Sequence, residues 1–99
     1  MIHHIVMWNF KPEITEEEKP ELIRKMSKRL CALVDKVPGL VTAVFVERPL
    51  SSSTHDIALV TTFKSVDDLA AYATHPDHVA AASIFKAVAA GRACVDYTF

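Results

Sequence analysis

The sequence predicts an α+β fold, a ferredoxin-like βαββαβ unit with a four-stranded antiparallel sheet. Three observations carry that prediction. Four short segments are rich in β-branched and aromatic residues, and between them run longer segments with roughly 3.6-residue apolar spacing. Turn-forming residues separate the two kinds: Lys11-Pro12, Pro38-Gly39, a Ser-rich stretch at 51–53, and Gly91. The second helical region is interrupted once, at His75-Pro76.

Ile2 to Phe10 reads as the first strand. His4, Val6, Trp8 and Phe10 share one face and His3, Ile5, Met7 and Asn9 the other. Both faces are largely apolar, which predicts a strand covered on both sides. Thr15-Glu16-Glu17-Glu18 has the form of a capping box opening a helix. Leu22, Met26, Leu30, Leu33 and Val37 follow as one apolar stripe. Pro20 removes an early backbone donor and predicts a restart or a bend. Pro38-Gly39 closes this helix, Leu40 to Glu47 forms a second strand, Arg48 to His55 a loop, and Ile57 to Phe63 a third strand.

Ser65 suits the N-cap of a helix from Val66 to Thr74, with Asp67 and Asp68 favourably placed in its first turn. Pro76 to Ala90 predicts a further helix closed by Gly91, and Ala93 to Phe99 the last strand. Helices on one face of a single sheet leave the other face bare. Here that face carries side chains such as Val, Phe and Ile, so the sequence predicts a homodimer packed sheet to sheet, an α/β barrel.

Ninety-nine residues suffice for a single domain with a modest core, and a 51% apolar content is rich for that size. The net charge is −1, from 11 basic and 12 acidic residues, and no basic stripe exists, which argues against a nucleic-acid partner. No apolar run is long enough to span a membrane. Met1-Ile2-His3-His4 lacks the basic start and cleavage site of a signal peptide. Cys31 and Cys94 stand outside any CxxC pair and among apolar neighbours, as buried reduced thiols would. A cytoplasmic protein is expected.

The chemistry concentrates in Tyr72-Ala73-Thr74-His75-Pro76-Asp77-His78. Proline suits the first position of a helix and pushes the residue before it out of helical conformation. His75 is therefore expected at a junction, as an N-cap, and His78 in the first turn of the next helix. The helix dipole there disfavours imidazolium, and a neutral imidazole is a general base. His78 and Tyr72 together suit enolate chemistry, the imidazole taking a proton beside a carbonyl and the phenol steadying the oxyanion. The structural alternative is a core tyrosine and a simple helix break. His75 and His78 do not make a metal pair, because Pro76 prevents one continuous helix from aiming both rings at one ion and no third ligand is evident nearby. His55 and Asp56 close the Ser-rich loop and read as a turn.

Strand one with His4 and Phe10-Lys11, Val37-Pro38-Gly39, Thr62-Phe63-Lys64-Ser65-Val66, Tyr72-x-x-His75-Pro76-x-His78 and Val95-Asp96-Tyr97 together resemble the stress-responsive dimeric α/β-barrel (Dabb) family. The resemblance covers nearly the whole chain, and within the family the pattern is most similar to plant polyketide cyclases. It implies a cavity between sheet and helices, with Tyr72 and His78 as the catalytic pair. His4 and Asp96 would lie nearby, and Val6, Trp8, Ile23, Met26, Leu30 and His75 would line the walls. It implies a small apolar carbonyl ligand, no organic cofactor and no catalytic metal. Some members of the family hold a cation through main-chain carbonyls, which here would fall near Val34 to Leu40. The chain departs from the cyclases in a first helix about one turn longer, and in Ile23, Met26 and Leu30 where they carry bulky aromatics. That departure bears on the ligand rather than on the fold. The alternative to an enzyme is a non-catalytic stress-associated barrel protein.

Overall fold

Residues 1–99 are all described by the computed structural model. The elements are β1 (Ile2–Phe10), α1 (Lys19–Cys31), a 3₁₀ turn (Ala32–Asp35), β2 (Leu40–Val46), β3 (Ile57–Phe63), α2 (Val66–Thr74), α3 (Pro76–Val88) and β4 (Ala89–Thr98). The four strands form one antiparallel sheet in the order β2-β3-β1-β4. This is the ferredoxin-like arrangement.

The capping box forms, but as a turn ahead of the helix. The Thr15 amide donates to Glu18 Oε1 at 3.1 Å and the Glu18 amide to Thr15 Oγ1 at 3.3 Å. Regular helix then starts at Lys19, which puts Pro20 in the first turn, where a missing N–H costs nothing. Of the restart or bend expected at Pro20, the structure shows a helix start. At the other end α1 tightens into the 3₁₀ turn, and Leu33 and Val37 continue its buried stripe.

α3 ends two residues sooner than the alanine-rich sequence predicts. Ala89 and Ala90 pair with Phe10 and Asn9 of β1, so sheet pairing overrides their helix propensity. Gly91 therefore lies inside β4, at φ +63°, beside the register shift between Met7 and Asn9.

Ile2, Val6 and Phe10 of β1 and Ile57, Leu59, Thr61 and Phe63 of β3 are buried on the helix side of the sheet. Met26 and Leu30 of α1, Tyr72 of α2 and Phe85 of α3 close the core from above. The opposite side carries one apolar row across all four strands, with Val44 opposite Val60, Val60 opposite Ile5 and Ile5 opposite Val95. Its outer members Val44 and Val95 are 58% and 51% exposed. Beside that row, His3 bonds to the Tyr97 hydroxyl at 2.7 Å and stacks on Phe99.

The Pro38-Gly39 turn seats α2 on the sheet. Gly39 adopts φ +83°, and a Cβ there would stand 2.2 Å from Asp68 Cγ. Its carbonyl accepts from the Lys64 amide at 3.0 Å. Gly39→Ala combines a left-handed backbone with overpacking, so a loss of at least about 2 kcal/mol is expected. Thermal unfolding checks this as a fall in Tm of about 10 °C or more. An unchanged Tm would contradict the seating described.

Candidate active site

α2 and α3 meet at a sharp junction. Ser65 caps α2, its Oγ accepting from the Asp68 amide at 3.1 Å. His75 leaves the helical region with φ −63° and ψ 132°, as a residue before proline must. Its Nδ1 accepts from the Asp77 amide at 3.1 Å, so His75 is the N-cap of α3. Pro76 takes the first turn.

The junction redirects the chain and brings the Tyr72 and His78 rings together, with ring centroids 4.0 Å apart. The Tyr72 ring is wedged edge-on against Phe63, at 5.0 Å. The ring is 3% exposed, and its hydroxyl makes no hydrogen bond within the chain. No buried side-chain oxygen is sealed off without a partner. The hydroxyl therefore opens into the space beside it. Burial pushes the phenol up to about 12, which keeps it a hydrogen-bond donor at neutral pH.

His78 is held through Nδ1, 3.3 Å from the Ala73 carbonyl. That oxygen is one of the last in α2 and lacks a helical partner of its own. A carbonyl only accepts, so Nδ1 carries the hydrogen and Nε2 keeps a lone pair. Burial lowers the His78 pKa below its ordinary 6.5, against the bond to Ala73, with the charges of His4, His75 and Arg92 adding to the fall.

A cavity of about 550 Å³ lies between the sheet and α2–α3, lined mostly by apolar side chains. Tyr72 and His78 line it together with His4, Val6, Trp8, Leu30 and Asp96. Trp8 forms part of the wall by stacking on Phe85 at 4.4 Å. His4 sits at β1's centre, its Nδ1 bonded to the Asp96 carboxylate on β4.

Three expected lining residues lie elsewhere. Met26 is fully buried and Ile23 packs on the core, because α1 rests against β2 and α3 and offers the cavity only Leu30. His75 is occupied as a cap, outside the lining. His55 borders a separate hollow with Met7 and Val46, its ring bonded to the Thr54 hydroxyl. In the segment expected to hold a cation, the Val37 carbonyl is committed to a turn with the Leu40 amide at 3.3 Å.

Sequence reasoning missed Lys86 and Arg92, exposed cationic side chains on the lining. It also placed Cys94 in the core, whereas the thiol is exposed, 3.6 Å from both His4 Nδ1 and Asp96 Oδ1. Partial burial and the Asp96 carboxylate push this thiol up. Arg92, Cys94 and Asp96 alternate along one face of β4. Beginning that strand at Ala93 conceals the pattern.

The fold and cavity define a class: a ferredoxin-like α+β domain with a partly open, mostly apolar site under its helices. The chain belongs to the stress responsive A/B barrel domain (Dabb) family, whose model matches residues 2–99. A dimeric protein of unknown function and ferredoxin-like fold from Bacteroides fragilis is 34% identical, with a TM-score of 0.91 over 99% of this chain and 95% of that one. A dimeric ferredoxin-like protein of unknown function from Thermobifida fusca is 28% identical, with a TM-score of 0.78 over 99% and 90% of the two chains. A hydroxynitrile lyase from Passiflora edulis, at 19% identity and a TM-score of 0.76 over 99% and 95%, shares the fold. No curated protein matches the sequence.

The lowered His78 pKa has a consequence for stability. The unfolded chain takes up this proton before the folded one does. The contribution is thus fully present above pH 6.5 and is lost as pH falls through the lower folded value. NMR titration of the His78 ring should give a midpoint below 6.5. Urea unfolding across the same range should show a smaller acid loss in His78→Gln. A midpoint at or above 6.5 would show that the ring is not desolvated.

Proposed function

We propose that this protein is a dimeric barrel that binds a small apolar carbonyl compound and turns it over through an enolate, as a cyclase or isomerase. The observation that carries this reading is the Tyr72–His78 pair, 4.0 Å apart on the wall of one apolar cavity. His78 Nε2 takes the proton beside the carbonyl. The C–H electron pair passes into the enolate, and the Tyr72 hydroxyl donates to the resulting oxyanion. The imidazolium then returns its proton to the product, so the cycle balances without an organic cofactor. Both groups begin in the form the step requires, a neutral base and a protonated donor. The same fold carries a hydroxynitrile lyase and a cofactor-independent oxygenase, so the fold is compatible with catalysis.

The homodimer is supported by the apolar row Val44, Val60, Ile5 and Val95 on the open face. It is supported also by the dimeric relatives from Bacteroides fragilis and Thermobifida fusca. Two free thiols suit a cytoplasmic protein, and no helix is long and apolar enough to cross a membrane. The same wide apolar face favours a second reading, a non-catalytic barrel protein whose role lies in assembly.

A thermal-shift screen with apolar ketones and β-dicarbonyl compounds separates the two. Ligand-dependent stabilisation is expected, with turnover of at least one hit. His78→Ala should cost about 10²–10⁴ in rate and Tyr72→Phe about 10²–10³. Hits whose turnover is indifferent to both substitutions would remove the pair from the mechanism, and an absence of hits would favour the assembly reading. Light scattering should give twice the chain mass, falling to the monomer in a Val44→Lys, Val95→Glu double variant. A wild-type monomer would remove the barrel.

A further inference from the structure

His4, Cys94 and Asp96 bring three different metal-ligating atoms together beside the cavity. The imidazole nitrogen, the thiol sulfur and a carboxylate oxygen all lie within 4.8 Å of one another. The scaffold is rigid. His4 on β1 is the register partner of Asp96 on β4, and Cys94 sits two residues before Asp96 on the same face. Bonds of about 2.3 Å to sulfur and 2.0–2.1 Å to nitrogen or oxygen place tetrahedral ligand atoms roughly 3.5 Å apart. The Cys94 sulfur meets that spacing with both partners, at 3.6 Å from His4 Nδ1 and 3.6 Å from Asp96 Oδ1. Only the hydrogen-bonded His4–Asp96 pair is closer. An ion replaces the proton the pair shares, and the Asp96 side chain, 45% exposed, is free to turn outward.

We propose that His4 Nδ1, Cys94 Sγ and the Asp96 carboxylate form a divalent-metal site of borderline softness, zinc being the best fit, with one coordination position left open. The donor set argues for that class. Magnesium and calcium take oxygen ligands, whereas mixed nitrogen, sulfur and oxygen donors suit zinc. Three protein ligands and one open position is the pattern of a catalytic rather than a structural zinc. His4 and Asp96 line the same cavity as Tyr72 and His78, and the His4 and Tyr72 ring centroids are 6.3 Å apart. A ligand oxygen taken up by the ion would thus enter the cavity beside the pair. The site stands apart from the enolate reading, which needs no metal and is tested without one.

The experiment uses the full chain, freed of metal by dialysis against a chelator. Titration with Co²⁺ should saturate at one equivalent per chain and raise a thiolate-to-cobalt charge-transfer band in the near ultraviolet. In Cys94→Ser the band should vanish. Competition against a chromophoric chelator should show Zn²⁺ affinity falling more than about tenfold in Cys94→Ser and in Asp96→Asn, since even outer-shell partners of a metal cost about that much. Both side chains are exposed, so both variants should melt as the metal-free wild type does. A wild-type cobalt spectrum without the sulfur band overturns the proposal on its own, whatever the variants do. Unchanged Zn²⁺ affinity in a folded Cys94→Ser protein overturns it as well.

Discussion

The candidate site depends on the break between α2 and α3. On an unbroken helix, a residue six places beyond Tyr72 would lie roughly 240° around the axis, facing away from it. The extended backbone at His75 and the ring of Pro76 turn the chain, so that His78 lies against the Tyr72 ring. Each side of the break is anchored separately. The Ser65 cap and the Gly39 turn hold α2, and Tyr72 wedges into Phe63. α3 is held by the His75 cap and by Phe85 against Trp8. The orphan carbonyl left by the break is the one that fixes the His78 ring.

Burial then acts on the two groups in opposite senses and leaves both neutral. Desolvation penalises phenolate and imidazolium alike, raising one pKa and lowering the other. An apolar pocket is thus the cause of the paired protonation states as well as the container for a ligand. β1 ties this pocket to the rest of the molecule. One of its faces supplies His4, Val6 and Trp8 to the cavity, and the other supplies Ile5 to the open apolar row.

Local signals made much of this legible. Proline chemistry places the break at His75-Pro76 from sequence alone, the Ser65 cap forms, and the Thr15 box forms as a turn just ahead of its helix. The alternation of β1 puts His4, Val6 and Trp8 on one face, and that face borders the cavity. What escaped was decided by tertiary competition. Ala89 and Ala90 favour helix, yet the far end of β1 was available to pair with them. The family resemblance puts Ile23 and Met26 on the lining, but α1 rests against β2 and α3, away from the cavity. Cys94 looks like a core residue by its apolar neighbours, while an edge strand leaves its helix-side face open.

In the proposed function His78 and Tyr72 labilise a proton beside a carbonyl held in this cavity. Proton NMR of an apolar ketone in D₂O containing the protein measures that event directly, ahead of any product. The α-proton signal should be lost faster than in buffer, with the loss suppressed in His78→Ala and slowed in Tyr72→Phe. Exchange at the buffer rate with a ketone shown to bind, or exchange unaffected by His78→Ala, would contradict it.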